Sequence, residues 1–456
     1  MSERTDASSV GLDGFNLALP KGTGVATYAR TLSHALRGMG RSVDVLYGLN
    51  VPKRARPALR ETLFFAALGE GRTGGEPPDK KSLLREALLA PWPRTLLEVP
   101  IRGQVVTDAM AERLPAYDRL FTLPSLFHVA RRYFRRYGEF MTVRVPRPPA
   151  IMHWTYPLPL RLAGARNVYT LHDLVPLRLP FTSLDDRRYY YRLVRRCVAE
   201  ADHICTVSET SRRDILATLG GDPERITNTY QAVRPPADAA PEPRVLASRL
   251  RGLFGLKPGR YFLFFGAIEP KKNLGRLIEA YLAAELADPL VIAGPRAWKS
   301  EEELRLLGGA HGEKLLERGR IRLLEYVPAA QLAALVRGAK AVLFPSLYEG
   351  FGLPAVEAMA LGAPVMTSTA GASPEIVGDA ALLVDPYNVG GMIQALRRLD
   401  DDEGLRAALA AAGPRRAERF GMAPYQSRLE ALHRRVLDAP RPVPRRSPLE
   451  LSLEPG

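Results

Sequence analysis

The segment Phe344 to Asp385, FPSLYEGFGLPAVEAMALGAPVMTSTAGASPEIVGDAALLVD, decides how this chain is read. Just before and into it, Ala341 to Phe344 is a run of consecutive apolar residues, the pattern of a parallel strand buried on both faces. In the turn Glu349-Gly350-Phe351-Gly352, the glycines let main-chain N–H groups come close to a ligand. Pro354 sits in the first helical turn, where a missing N–H costs little, and Gly362 with Pro364 ends the helix after about two and a half turns. A helix N-terminus presents unpaired N–H donors and partial positive charge, so the loop through Leu353 suits a diphosphate. Glu349 precedes the helix and Glu357 lies one turn inside it, so the two carboxylates reach different hydroxyls of one extended ligand. A second strand, Ala363 to Thr367, leads to Ser373-Pro374-Glu375, expected to be another capped helix start facing the same crevice.

Working outward, Tyr261 to Ile268 (YFLFFGAI) is a second buried-strand pattern. It passes Gly266 and runs through Glu269-Pro270-Lys271-Lys272 into a helix expected to be capped by Asn273. Leu274, Leu277, Ile278, Tyr281 and Leu282 share one face of that helix. Two lysines ahead of a helix N-terminus add ammonium charge to the helix dipole and suit a phosphate, although lysines in turns are also commonly a solvated pair. Nearer the N-terminus, Val10 to Leu17 reads as a strand, Lys21-Gly22-Thr23-Gly24 as a glycine loop and Val25 to Arg37 as a helix. No third glycine completes a dinucleotide fingerprint there. Asn167 to Leu171 is a strand with His172-Asp173 at its carboxyl end, where ligands gather in open parallel sheets. Ser208 is expected to cap the helix that follows the strand His203 to Val207, with Arg213 a further candidate for donor contact.

The Glu-x7-Glu spacing inside EGFGLPAVEAMALGAPV, followed by AGASPEIVGDAALLVDP, resembles the signature of the family 4 retaining glycosyltransferases. The resemblance implies an α/β GT-B fold: two Rossmann-like, doubly wound parallel-sheet domains facing an interdomain cleft. It places an acceptor-side domain over 9–235, completed by a returning helix over 424–438, a nucleotide-sugar-binding domain over 246–420, and a disordered tail over 439–456. In the family the second basic residue of the EPKKN turn, here Lys272, contacts the donor diphosphate. Many members also carry an arginine directly after the strand glycine, where this chain has Ala267. Glu349 is then expected on donor-sugar hydroxyls, Glu357 on the ribose, and the amides of Gly350, Phe351, Gly352 and Leu353 with Lys271 and Gly266 around the diphosphate. The base is expected near main-chain groups of Tyr326 and Val327. His172 would lie by the reacting sugar and Asp173 would orient it. GLDGFNLALPKGTGVATYARTLSHAL resembles the first strand, loop and helix of the family, which puts Gly22 and Gly24 on the acceptor side; as plain turn residues they are explained equally well. The implied activity is metal-independent transfer of a hexose, mannose first, from GDP-mannose or a UDP-hexose, with no cofactor, to a glycan or lipid-linked acceptor in polysaccharide assembly. A nucleotide-sugar-binding protein without catalysis is the alternative, resting on Ala267 alone.

Composition agrees with this layout. A chain of 456 residues that is 46% hydrophobic and 25% charged can bury two cores. The proline- and alanine-rich stretch Ala232 to Arg244 suits a semi-rigid linker, and Gly69 to Lys81 (GEGRTGGEPPDKK) a mobile loop. The two cysteines, Cys197 and Cys205, lie in no metal-ligand pattern. With no run of about eighteen apolar residues and no signal-peptide core in MSERTDASS, the expectation is a reduced, cytoplasmic protein that does not span a membrane. Net charge is +15. Its sharpest source is LFHVARRYFRRY (Leu126 to Tyr137), which sets Leu126, Phe127, Ala130, Tyr133, Phe134 and Tyr137 on one side of a helix and Arg131, Arg132, Arg135 and Arg136 on the other. Such a helix either lies in a membrane interface with its arginines on anionic head groups, or packs on the core with a solvated arginine face. The basic stretch Arg187 to Arg196 favours the former. Nucleic-acid binding accounts for the charge but not for Glu349 and Glu357, and is not expected.

Overall fold

The computed structural model describes residues 6–19, 24–52, 54–70, 92–111, 113–184, 186–234 and 241–440. Gly22, residues 71–81 of the expected mobile loop, the middle of the linker and the tail from 441 lie outside them.

Two large sheets organise these residues. The first runs, edge to edge, Ile226–Asn228, His203–Thr206, Arg166–Leu171, Pro149–Trp154, Asp6–Asp13, Ser42–Tyr47, Arg119–Thr122 and Leu97–Val99. All of its pairs are parallel except the last. The second runs Ile321–Leu324, Leu290–Ala293, Phe262–Phe265, Ala341–Phe344, Val365–Ser368 and Leu382–Val384, parallel throughout. Its four central strands are buried on both faces, as the unbroken apolar runs FLFF, LVIA and AVLF require, while the edge strands Ile321–Leu324 and Leu382–Val384 are only partly buried. A small third sheet joins Arg94–Thr95, Met141–Arg144 and Leu160–Leu162.

In each large sheet the strand order reverses once near the middle, and a crevice opens at the carboxyl ends of the two strands that flank the reversal. In the second sheet those strands are Phe262–Phe265 and Ala341–Phe344, which lead into the EPKKN and EGFG turns. In the first they are Asp6–Asp13 and Pro149–Trp154, leading to Phe15 and Tyr156. Both crevices follow from the strand order.

The final helix, Met422–Asp438, returns to the first sheet's layer. Gln426 Nε2 donates to the Ala35 carbonyl in the helix Gly24–Gly38 at 3.0 Å, and Tyr425, Leu429, Leu432 and Val436 are buried. Ala439 and Pro440 extend this anchorage, since their carbonyls accept from Arg166.

Three local expectations are corrected. The apolar face of the helix Leu126–Tyr137 is buried: Leu126, Val129, Ala130, Tyr133 and Phe134 pack into the core with Leu193 and Trp154, so this face is not available to a membrane. Arg131, Arg132, Arg135 and Arg136 form its exposed side. Asn273 does occupy a helix N-cap position with left-handed backbone (φ 61°), yet its side chain does not cap the helix. Its amide donates instead to the carbonyls of Pro345 (2.9 Å) and Pro386 (2.7 Å), tying together the loops that follow the strands Ala341–Phe344 and Leu382–Val384. The helix over Ser373–Val377 has Ala372, not Ser373, at its N-cap.

Candidate active site

The Glu349 backbone is held by the loop that follows the next strand. Ala372 N donates to the Glu349 carbonyl at 2.9 Å, and a Cβ on Gly371 would stand 2.6 Å from that same oxygen. Gly371 has φ of 62°, so both close approach and left-handed backbone call for glycine there. The AGAS part of the sequence therefore fixes the carboxylate of EGFG. On the other side, Leu347 N donates to the Lys271 carbonyl at 2.8 Å, locking the two switch-point loops together.

Lys272 and Glu349 meet directly. The ammonium lies 2.6 Å from Oε1, and both side chains are largely buried. Burial raises the Glu349 carboxyl, but the ammoniums of Lys272 and Lys271 and the hydrogen bond from Lys272 outweigh it and hold the group below the ordinary carboxylate range. Lys271 pairs with Glu269 at 3.4 Å; burial opposes its charge, and Glu349, Glu269 and Asp173 more than restore it, so it stays an ammonium.

Glu357 is different. It sits inside the helix Leu353–Ala360, and burial alone pushes its carboxyl up to about 7. Gly352 turns into that helix with φ of 91°. The Phe351 ring is buried in an edge contact with Phe420 at 5.3 Å, so this residue can offer a ligand only its main chain; Leu353 is half-buried against the same core. Gly266 leaves the strand with φ of 128°, donating to the Ala293 carbonyl, and its own carbonyl lies where a Cβ on Gly294 would be 1.9 Å away. Tyr326 is 85% exposed and Val327 half-buried, both beyond the carboxyl end of Ile321–Leu324.

Across the cleft, Gly350 packs so tightly on the first unit that a Cβ there would stand 2.7 Å from the His172 carbonyl and 2.9 Å from Asp173 Cβ. His172 Nε2 donates to the Thr155 carbonyl at 2.9 Å, which leaves Nδ1 as the acceptor of a neutral ring. Burial lowers its pKa, opposed by that hydrogen bond and by Asp173, so the neutral form holds at pH 7. Asp173 Oδ1 accepts from Val175 N at 3.0 Å. His172, Asp173, Glu269, Lys271 and Trp298 line one cavity of about 290 Å³ between the two sheets. Gly24 opens its helix at an exposed position where a Cβ would meet nothing within 4 Å, while Gly22 lies outside the described residues.

Several interunit contacts escaped the sequence reading. Glu375 accepts from Glu209 N (2.7 Å), Thr210 N (2.8 Å) and Thr210 Oγ1 (2.8 Å), so a carboxylate of the second unit caps the helix Glu209–Leu219 of the first. Ser208 caps it as well, accepting from Ser211 N. Ser211 Oγ in turn reaches the carbonyls of His172 (2.7 Å) and Gly350 (3.3 Å). Tyr348 donates to Asp214, which also pairs with Arg178 at 2.6 Å. The Arg213 guanidinium donates to Thr210 Oγ1 at 3.1 Å, at an exposed position. The glutamate of SPEIV was visible as a helix-start residue, but nothing local indicated that its partner lies 165 positions away. Among the described residues, no cluster of three or more His, Cys, Asp or Glu could hold a metal ion, and no helix is long and apolar enough to cross a membrane.

Comparison with known proteins agrees with this geometry. Residues 254–416 match the model for Glycosyl transferases group 1, and residues 22–235 that for Glycosyltransferase Family 4. Over 274 residues the chain is 33% identical to the O-antigen chain mannosyltransferase B of Escherichia coli, covering 58% of this chain and 68% of that protein. It is 27% identical over 358 residues to the serotype-specific mannosyltransferase WbdA of Escherichia coli, covering 72% of this chain but only 43% of that longer protein. Among solved structures, Anabaena Alr3699/HepE in complex with UDP superposes with a TM-score of 0.58 at 17% identity, over 93% of this chain and 99% of that one, a likeness of fold. Fold, matched family models and relatives converge, and the chain belongs to the family 4 and group 1 glycosyltransferases, on the GT-B fold.

Proposed function

We propose that this glycosyltransferase moves a hexose, mannose before others, from a nucleotide diphosphate sugar to a glycan or lipid-linked acceptor with retention of anomeric configuration. The observation that carries the reading is the Lys272–Glu349 pair at the second sheet's switch point, with the adjoining Gly350 pressed against His172 and Asp173. Donor-side and acceptor-side groups then share one cleft. Mannose is favoured by two mannosyltransferase relatives, and a nucleotide donor by the UDP complex of a fold neighbour. GDP-mannose and UDP-hexoses are the donors to test first.

In this reading the chain consists of an acceptor unit over 9–235, closed by 424–438, and a donor unit over 246–420. Glu349 accepts hydrogen bonds from the donor sugar and Glu357 from the ribose. Lys272, with the amides of Gly350 to Leu353, takes up charge developing on the departing diphosphate, which replaces what a metal would otherwise supply. Lys271 and Gly266 complete the diphosphate side, and main-chain groups at Tyr326 and Val327 meet the base. Neutral His172 positions the reacting sugar, oriented through Asp173, and Gly24 borders the acceptor entrance. The leaving phosphate oxygen takes the acceptor proton, so no carboxylate serves as nucleophile. Closure of the two units excludes water and limits donor hydrolysis. A cytoplasmic site of action at the inner membrane face, with Arg131, Arg132, Arg135 and Arg136 on anionic head groups, rests on their exposure along one helix side.

The test is donor binding by thermal shift with GDP-, UDP- and ADP-sugars, with and without Glu357→Ala, followed by NMR of the product's anomeric proton. Stabilisation by one donor class that is lost in the variant, with retained configuration, is expected. Absence of a shift with every donor would overturn the reading.

A further inference from the structure

A second cavity, of about 220 Å³, lies at the switch point of the first sheet, where the strands Asp6–Asp13 and Pro149–Trp154 diverge. Its walls include Phe15, Phe127, Tyr156, Tyr189, Tyr190 and Arg131. Phe15 stacks on Tyr156 (6.0 Å between centroids, 29° between planes) and meets the Phe127 edge at 5.1 Å, so the rings form a preset platform. Arg131 lies 5.1 Å above the Tyr189 ring. Tyr156, Pro157 and Tyr190 line both this cavity and the cleft that holds His172, so the two adjoin.

Resting on the transferase reading above, we infer that this aromatic cavity is a subsite for the second sugar of the acceptor chain, one ring removed from the sugar that receives the hexose. A pyranose offers C–H faces to aromatic rings and hydroxyls to a guanidinium, and this lining presents both. A hydrocarbon chain would cover the rings but would also strip water from Arg131 with nothing in exchange. The place is one where parallel sheets bind ligands, and Tyr156, Pro157 and Tyr190 stand between it and the cavity lined by His172. The cavity thus makes acceptor length a determinant of affinity.

The experiment compares methyl α-mannoside, its α-linked disaccharide glycoside and octyl α-mannoside as acceptors for the wild type, Phe127→Ala and Tyr189→Ala. Both residues line only the second cavity. Wild type should show a KM for the disaccharide about tenfold below that for the monosaccharide, the worth of one ring packed on an aromatic face. Each variant should lose that advantage while monosaccharide KM and donor hydrolysis stay unchanged, with thermal unfolding lowered only by the packing of Phe127 on Phe15 and of Tyr189 on Phe134. Equal KM values for the two sugars in the wild type would overturn the subsite, as would variants that weaken octyl mannoside selectively, which would mark an apolar aglycone pocket. A wild type that binds no nucleotide sugar would instead remove the underlying transferase reading, so the two failures are distinct.

Discussion

The Lys272 ammonium and the Glu349 carboxylate stand 2.6 Å apart although 77 positions separate them in the chain. Removing Glu349 takes from the largely buried Lys272 ammonium its paired carboxylate, and removing Lys272 leaves Glu349 with the Lys271 ammonium alone.

Replacing either by alanine should therefore lower transfer at saturating donor by at least about a hundredfold, the scale of one lost electrostatic contact to a transition state. The double variant should be closer to the single variants than to the product of their effects, because the two act as a unit. Steady-state kinetics of the three proteins checks this, and near-normal turnover in either single variant would remove the assignment.

Donor affinity should depend on pH through Glu357. With its carboxyl raised to about 7 by burial, the group is largely protonated below that pH, and a donor whose hydroxyls bond the carboxylate favours the ionised form. Affinity should rise as pH climbs through about 7 and level off above it. Glu357→Gln should give weaker, flat binding. Calorimetric titration between pH 6 and 8.5 in roughly half-unit steps reads both slopes.

Closure should depend on Glu375 and Gly350. Glu375→Ala removes three hydrogen bonds to the helix Glu209–Leu219, on the order of 2 kcal/mol of support for the closed arrangement even if only one is fully effective. Gly350→Ala puts a Cβ against the His172 carbonyl and forces the units apart. Both variants should show a larger radius of gyration in solution scattering and a higher ratio of donor hydrolysis to transfer. An unchanged ratio would place closure elsewhere.

Acid stability should report on His433. Neither of its ring nitrogens has a hydrogen-bond partner among the described residues, and burial lowers its pKa to about 4 from an ordinary 6.5. A depressed folded value means stability present above 6.5 that is lost as pH falls toward about 4, at about 1.4 kcal/mol per pH unit. His433→Leu should gain on the wild type progressively across that window. Urea unfolding at pH 7 and pH 5 tests it; a constant difference would contradict the assignment.

Sequence alone determined much here. Unbroken apolar runs such as AVLF and FLFF specify doubly covered parallel strands, and the glycine turns, Pro354 and the two glutamates mark a helix start built for an anion and hydroxyls. These are local signals, set by backbone geometry and side-chain chemistry within a few residues. What the tertiary structure decided was which local features meet. Strand order brought Lys272 onto Glu349, placed Gly371 against the Glu349 backbone, and turned Glu375 from a helix-start residue into a cap on a helix of the other unit. It also settled the arginine-rich helix, whose periodicity fits a membrane surface and a core equally well. Its apolar face is buried against Leu193 and Trp154, because a hydrophobic stripe specifies only that it must be covered, and the packing of distant segments determines by what.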